Sequence, residues 1–396
     1  MTSVDKTAGK GSTAKGVTLV MAQVLPVIAI VSLFPAIPKL ARAFAGAPSA
    51  GFLVPALVTI PSLVCAVFAP VAGIIGDRFG RRPSFIGGMI LYVLAGIAPL
   101  FLDRLELILV SRAILGVAEA FAITISSALI GDYFKEDRHR WVAWVGVATA
   151  VTGTALIALG GALADISWRG PFAVYFGVLP ILVLALIFID EPEREPHDPA
   201  ASLELAQYPW REARIIAPLI FFASLLYYVE PLNIAVVLAM RGAASSTQIG
   251  LIQAATALLC VAGSFLYRRI HGLSFGVLVA VAGVFVGLGE IVIGSVPSLH
   301  LVIVGAGIQQ VGAGMLLPIL LAWAQSLLPL EQRGRGMGIW TTAFFCGTFL
   351  CSPMVNLFAD HTGGLLPAIR LLGILTLACA AAAIFLPSPQ RHHVEQ

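Results

Sequence analysis

Charge is scarce in this chain. Of its 396 residues, 11% are Asp, Glu, Lys or Arg and 59% are apolar, whereas soluble domains are about a quarter charged. A mean hydropathy of +0.95 excludes an ordinary soluble globular protein, and a net charge of +3 carries no nucleic-acid signal. Cysteine is also sparse: Cys65, Cys260, Cys346, Cys351 and Cys379 lie inside apolar stretches, without metal-ligand spacing, and are read as packing residues. The histidines form no H-x-x-x-H pair, and Asp360 with His361 is too little for a catalytic constellation. An enzyme, a bound metal and an organic cofactor are therefore not expected. The segment TAGKGST (7–13) lacks the first glycine and the strand-helix setting of a phosphate-binding loop, which removes an ATP-driven pump.

What the chain has instead is long apolar runs, such as PFAVYFGVLPILVLALIFI and FGVLVAVAGVFVGLGEIVIGSV. Each can cross roughly 30 Å of hydrocarbon as a helix rising about 1.5 Å per residue. Period-2 alternation of the barrel type is absent. The backbone must satisfy its polar groups internally in lipid, so the expected fold class is an all-α membrane protein. Placing spans between charge clusters yields twelve, over 16–39, 50–76, 84–102, 106–131, 141–164, 169–190, 214–240, 247–267, 273–296, 298–328, 335–359 and 365–387. The first apolar run exceeds the ~7–15 residues of a signal-peptide core and is read as a span kept in the mature protein.

Lys and Arg lie mostly at alternate span ends on the side of the N-terminus. The opposite ends hold only Lys39, Arg42, Arg104, Arg169 and Arg241, with Arg112 and Arg370 inside spans. By the positive-inside bias both termini are cytoplasmic. The longest connection, rich in proline and in both signs of charge, lies close to the middle. Around it Gly73 and Arg78 recur as Gly263 and Arg268, Arg138 and Arg140 as Arg333 and Arg335, and Pro35 as Pro231, in one order and at nearly one offset. The expected organisation is a duplication: a cytoplasmic tail (1–15), a six-helix bundle (16–190), a cytoplasmic linker (191–213), a second bundle (214–387) and a short cytoplasmic tail (388–396).

Within this frame GIIGDRFGRR, after the second span, resembles the signature loop G-x-x-x-D-R-x-G-R-[RK] of the major facilitator superfamily through Gly73, Asp77, Arg78, Gly80, Arg81 and Arg82. RAILGVAEA in the fourth span is similar to the R-x-x-x-G motif of its proton-coupled drug exporters, here Arg112 and Gly116. LGGALADISWRGPF resembles the paired glycines and W-R that end their fifth span. The resemblance implies two pseudo-symmetric six-helix bundles and alternating access, with a small-molecule substrate, protons and the bilayer as partners. It also implies a monomer in a bacterial-type inner membrane, driven by a proton gradient. Leu156 and Ile157 stand where the exporters carry G-P before Gly160 and Gly161; Gly153 remains, and with Gly116 and the pair it suits close helix packing.

In the loop, Asp77 is placed to meet the N-terminal end of a helix from the other half as a gating latch, and the resemblance implies that this helix is the eleventh. Gly80 permits the tight turn, and the arginines pair with carboxylates or with anionic headgroups. Tyr267 stands at the repeat position, so the latch is expected in the first half alone. Five ionisable residues lie inside spans, each a functional candidate because a charge there is costly. Arg112 and Glu119 are seven apart, on one face but roughly 10 Å distant along the axis, too far for an easy direct pair. If that face lines the central cavity, Glu119 is the proton carrier; the other reading is structural pairing with a neighbouring helix. Glu230 adjoins Pro231, whose missing amide frees a carbonyl; with Tyr227 and Asn233 it forms either a cavity site or an outer-mouth site. Glu290 and Arg370 are read as peripheral, near the membrane faces, snorkelling or pairing structurally. Gln23, Gln253, Gln309 and Gln310 stay unranked between substrate contact and helix ties.

The function expected is a secondary active transporter, proton-coupled and exporting a small amphipathic compound or metabolite. A symporter or facilitator importing a small metabolite is the alternative.

Overall fold

The computed structural model describes residues 3–47, 50–134, 137–192, 210–328 and 333–385. Most of the linker expected over 191–213, and the tail expected at 388–396, lie outside the described residues. Among the described residues twelve helices are long and apolar enough to cross a membrane. They run over Thr13–Ala43, Ala50–Phe79, Arg81–Leu100, Leu105–Tyr133, Arg140–Ile166, Gly170–Phe188, Trp210–Met240, Ser246–Ile270, Phe275–Ser295, Leu299–Leu327, Gly336–Thr362 and Leu365–Ala383. The twelve spans expected from hydropathy are thus present, with ends displaced by a few residues. The first helix starts earlier, at Ser3, and runs to Gln23.

The chain divides into two compact units, one of residues 1–197 with 245–251, the other of 198–244 with 252–396. In the first unit proline interrupts the first span, which proceeds as helix to Gln23, helix Leu25–Val31, a 3-10 turn Phe34–Ala36 and helix Ile37–Ala43. Pro26, Pro35 and Pro38 each open one of the last three segments, where a missing amide costs least. Small residues set the helix spacing. A Cβ on Gly116 of the fourth span would lie 2.9 Å from Pro61 Cα of the second, and one on Gly88 of the third 2.7 Å from Phe121 Cβ. Gly160 of the fifth span sits against the Ser32 carbonyl of the first, and Gly153 against Val27. Gly161 lies against Ser246 and Gly250, in the first turns of the eighth span, which belong to this unit.

In the second unit the seventh span breaks at Tyr228 into Trp210–Tyr227 and Val229–Met240, three residues before Pro231. The ninth span packs on both the tenth and the twelfth. A Cβ on Gly289 would lie 2.6 Å from the Gln309 nitrogen, and one on Gly287 2.8 Å from the Gly373 carbonyl. An apolar core joins the seventh, ninth, tenth and eleventh spans, with Phe275 stacked on Trp323 at 4.6 Å and Trp340 on Phe344 at 5.0 Å.

Candidate functional site

Arg112 is fully buried in the first unit, the largest side chain that is. Its Nε donates to the Leu57 carbonyl of the second span at 2.9 Å. That carbonyl would ordinarily receive the amide of residue 61, which is a proline and has none. Its Nη2 donates to the Ala29 carbonyl of the first span. There too the helical partner is gone, because Leu33 turns its amide to Ile30 at 3.3 Å as the chain tightens toward the 3-10 turn. Its Nη1 donates to the Tyr175 hydroxyl of the sixth span. Tyr92 packs on Tyr175 with ring centroids 5.6 Å apart and donates its hydroxyl to the Leu25 carbonyl at 2.7 Å. One guanidinium thus ties its own span to three others, two of them at carbonyls that a proline or a 3-10 turn has left open.

Glu119, two turns along the same helix, is also fully buried, and neither carboxyl oxygen has a hydrogen-bond partner. It faces the Cys65 thiol and lies in the field of Arg112 without bonding to it. A carboxyl group inside a span with no geometric hydrogen bond is costly to keep and marks a functional candidate. Gln23 meanwhile ties the first span to the fourth, its two amide hydrogens shared among the Ser126 and Ser127 hydroxyls at 2.7 Å each and the Ile123 carbonyl at 3.0 Å.

The loop at 76–83 is organised by a residue that the sequence reading placed in the linker. Glu191 accepts from the backbone amides of Arg81 and Arg82, both at 2.8 Å, and so caps the first turn of the third span. Gly80 takes a φ of 107°, which a residue with a Cβ rarely adopts, and brings the two amides to the carboxylate. Arg81 pairs with Asp132 at the end of the fourth span and with Asp77 at 3.4 Å. Arg82 donates to the carbonyls of Ile189 at 2.7 Å and Leu186 at 3.2 Å. Arg78 lies over the Phe79 ring, 5.5 Å from its centroid. Gly73 makes ordinary contact with Thr124, at 3.7 Å. The Asp77 side chain is 72% exposed, leaving most of its acceptor capacity free.

At the opposite end of the fifth span Asp165 accepts from the Ser246 amide at 2.9 Å and the Thr247 amide at 2.8 Å. It also accepts from the Thr247 hydroxyl at 2.6 Å and pairs with Lys39 at 2.9 Å. Sequence reasoning passed over it, although it lies three residues before the W-R pair.

In the second unit Glu230 is 3% exposed, which removes the outer-mouth reading. Its Oε2 accepts from Gln310 Nε2 at 2.8 Å, and Gln310 Oε1 accepts from the Cys260 thiol at 2.7 Å. Cys260 is therefore a donor in a polar chain and more than filler. Gln309 donates to the Tyr227 carbonyl at 3.3 Å, the acceptor that Pro231 leaves open, as Pro61 leaves Leu57 open in the first unit. The Ser264 hydroxyl reaches the Gly314 carbonyl, four residues before Pro318, at 3.1 Å and shares its one proton with the Cys260 carbonyl of its own helix at the same distance. Asn233 is spent on its own helix, donating to the Val229 carbonyl at 2.8 Å. Burial of Glu290 overturns the snorkelling alternative and leaves structural pairing. The side chain is fully buried, with Oε2 accepting from Thr376 at 3.3 Å and Oε1 without a partner. The glycines flanking it in the ninth span draw the tenth and twelfth helices over it, which hydropathy alone does not register.

With this geometry established, comparison with known proteins matches the Major Facilitator Superfamily over residues 19–229 and 216–396. The chain belongs to the Major Facilitator Superfamily. Family and spans together make it a multi-pass membrane protein. Among superfamily relatives, the class H tetracycline resistance protein of Pasteurella multocida is 27% identical over 222 residues, covering 54% of this chain and 52% of that one. The drug efflux pump JefA of Mycobacterium tuberculosis is 32% identical over 140 residues, 33% of this chain and 27% of the other. Protein spinster homolog 1 of Bos taurus is 30% identical over 161 residues, 38% and 30% of the two chains. The matched region thus spans about half the length of the first relative and less of the others. The fold is that of the xylose transporter XylE from E. coli, with a TM-score of 0.75 at 16% identity over 96% of this chain and 97% of that one.

Proposed function

We propose that the protein is a secondary transporter of a small molecule that couples the export of a small amphipathic compound to the entry of protons, by alternating access, in a bacterial-type inner membrane with both termini in the cytoplasm. The observation that carries the reading is Glu119: a fully buried carboxyl group with both oxygens unpartnered, beside an arginine already satisfied by carbonyls and a tyrosine. A carboxyl so placed is held by no fixed bond and is able to exchange its proton when the surroundings change. Exchange of that proton against the substrate at one carboxyl group links the proton to the cargo. Asp77, exposed at the head of the signature loop, is the gating residue of this reading. Relatives named for tetracycline resistance and drug efflux support the outward direction. Import by symport is the second reading, favoured by Leu156 and Ile157 standing in place of the exporters' G-P.

The test is substrate-induced proton release from detergent-solubilised protein, followed with a pH dye. Candidate substrates come from a flux screen in proteoliposomes under an imposed pH gradient, which also reads the direction. Release by the native protein and its loss in Glu119→Gln are expected. Normal release by that variant removes Glu119 from the mechanism.

A further inference from the structure

The second unit contains a chamber that the site above does not use. In the first unit the outermost spans in the chain, the first and the sixth, lie along each other. In the second unit the seventh and the twelfth do not close up in this way. The seventh packs chiefly along the eleventh, and between it and the twelfth, with the ninth and tenth as the other walls, lies a space of 590 Å3. Protein interiors hold few voids larger than a water molecule, so a chamber of this size calls for an occupant.

Its depth matches one leaflet. On the seventh span, which begins at Trp210, the lining runs from Ile215 to Tyr227. That is about 18 Å along a helix, against roughly 15 Å for half of the hydrocarbon core. The other walls agree: Val279, Gly283 and Val286 reach no deeper than the middle of the ninth span, and Leu316 and Leu320 of the tenth and Thr376 to Ala383 of the twelfth lie in the later halves of theirs. Successive spans run in opposite directions, so all these halves lie on the side where the seventh span begins. The wall is apolar side chains except at Thr376, whose hydroxyl is shared between the Leu372 carbonyl at 2.9 Å and Glu290 at 3.3 Å. Such a wall suits a hydrocarbon chain from end to end.

The mouth opens on the lipid-facing surface of the seventh span, where Ile215, Pro218 and Phe222 are lining residues that are also exposed. Arg211 and Arg214, both exposed, continue the same stripe to the end of the helix, in the spacing 211, 214, 215, 218, 222. Neither arginine has an ion-pair partner among the described residues. Glu212 is half-buried and falls off the stripe, about 100° round the helix from Arg211. Trp210, 68% exposed, adds an aromatic ring of the kind enriched at membrane surfaces. The two cations therefore stand at headgroup level directly above the opening of a chain-deep apolar slot.

We infer that the chamber is the site of a resident anionic phospholipid, with one acyl chain between the seventh and twelfth spans and its phosphate at Arg211 and Arg214. The chain supplies the contact that the two helices do not make with each other. The arginines supply the choice of head group: an anionic lipid gains from both guanidinium groups, whereas a zwitterionic head group brings a cation of its own that opposes them. The lipid is a structural partner and not the cargo, so the inference holds whichever compound is carried and in whichever direction.

The test is photolabelling of the full chain in phosphatidylcholine nanodiscs containing a trace of phosphatidylglycerol that carries a diazirine either at the far end of one acyl chain or beside its ester, followed by peptide mass spectrometry. The far-end probe should mark Leu226, Tyr227 and Thr376, and the ester-side probe Ile215 to Leu219 and Ala380 to Ala383. The same probes built on phosphatidylcholine should label these positions at least fivefold less. Replacing both arginines, Arg211→Ala with Arg214→Ala, should bring phosphatidylglycerol labelling down to the phosphatidylcholine level, and Arg→Lys at both should keep most of it. Ala223→Trp, which fills the chamber, should reduce the far-end label at least fivefold. Equal labelling by the two lipids, label spread over the exposed faces of other spans, or the two probes marking the same depth overturns the inference, as does an undiminished preference for phosphatidylglycerol after loss of both arginines. The comparison of head groups and of depths on the native chain decides the matter even if a variant fails to accumulate.

Discussion

Arg112 donates at 2.9 Å to the Leu57 carbonyl, which Pro61 has deprived of its amide. The same arrangement joins Gln309 to Tyr227 ahead of Pro231, and Ser264 to Gly314 ahead of Pro318. A proline inside a span removes one backbone donor, and lipid offers none in exchange. In these three cases a side chain from a neighbouring helix offers a donor, which Ser264 shares with its own helix. The kink and the tie between helices are then one device.

Arg112→Leu removes donors from three buried acceptors at roughly 1–3 kcal/mol each and is expected to destabilise the protein by about 3–5 kcal/mol. Adding Pro61→Ala returns an amide to Leu57 and should recover about 1 kcal/mol in that background only. Thermal or denaturant unfolding of the four proteins as a double-mutant cycle measures the coupling; additive effects contradict the shared carbonyl.

Glu191→Ala leaves the amides of Arg81 and Arg82 without their acceptor, at a cost of about 0.5–2 kcal/mol for a lost helix cap. Hydrogen exchange at the start of the third span should accelerate several-fold, while the end of the same helix is unchanged. Gly80→Ala is expected to act in the same place, through backbone strain of about 1–3 kcal/mol at its φ of 107°.

Asp77→Asn keeps the size of the side chain and removes its charge. Membrane insertion and yield should be normal while transport in proteoliposomes falls at least tenfold. Near-normal flux by a well-expressed Asp77→Asn protein ends the gating assignment.

Asp165→Ala removes the acceptor for two backbone amides and the Thr247 hydroxyl, and the partner of Lys39. At about 1.4 kcal/mol per tenfold, the loss of a cap worth about 1–2 kcal/mol should speed amide exchange at Ser246 and Thr247 roughly five- to thirtyfold. Asp165→Asn should have a smaller effect, since its amide oxygen still accepts.

Gly116→Ala places a methyl group 2.9 Å from both Pro61 Cα and Val64 Cβ and should destabilise by about 1–3 kcal/mol. Gly146 has no atom within 4 Å of such a methyl. Gly146→Ala should be neutral or slightly stabilising, by up to about 1 kcal/mol. Thermal midpoints that respond equally in the two variants contradict the close contact of the second and fourth spans.

The sequence by itself determined the twelve spans, their helical character and the signature loop. Each of these is a local property: hydropathy and charge along a segment decide whether it crosses a bilayer, and a motif is visible as residues in order. It also determined which ionisable groups lie in spans and that Pro231 frees a carbonyl. What it left open was which neighbour faces each group. Glu290 reads as peripheral by its span and proves fully buried, because glycines in the ninth span draw two helices over it. Glu191 and Asp165 are ordinary acids in the chain until folding sets the start of another helix against each carboxylate. Cys260 becomes a donor only when Gln310 comes beside it. The tertiary structure decided these because the rotation of a helix about its axis is settled by packing against distant segments, and that rotation selects the acceptor each side chain meets.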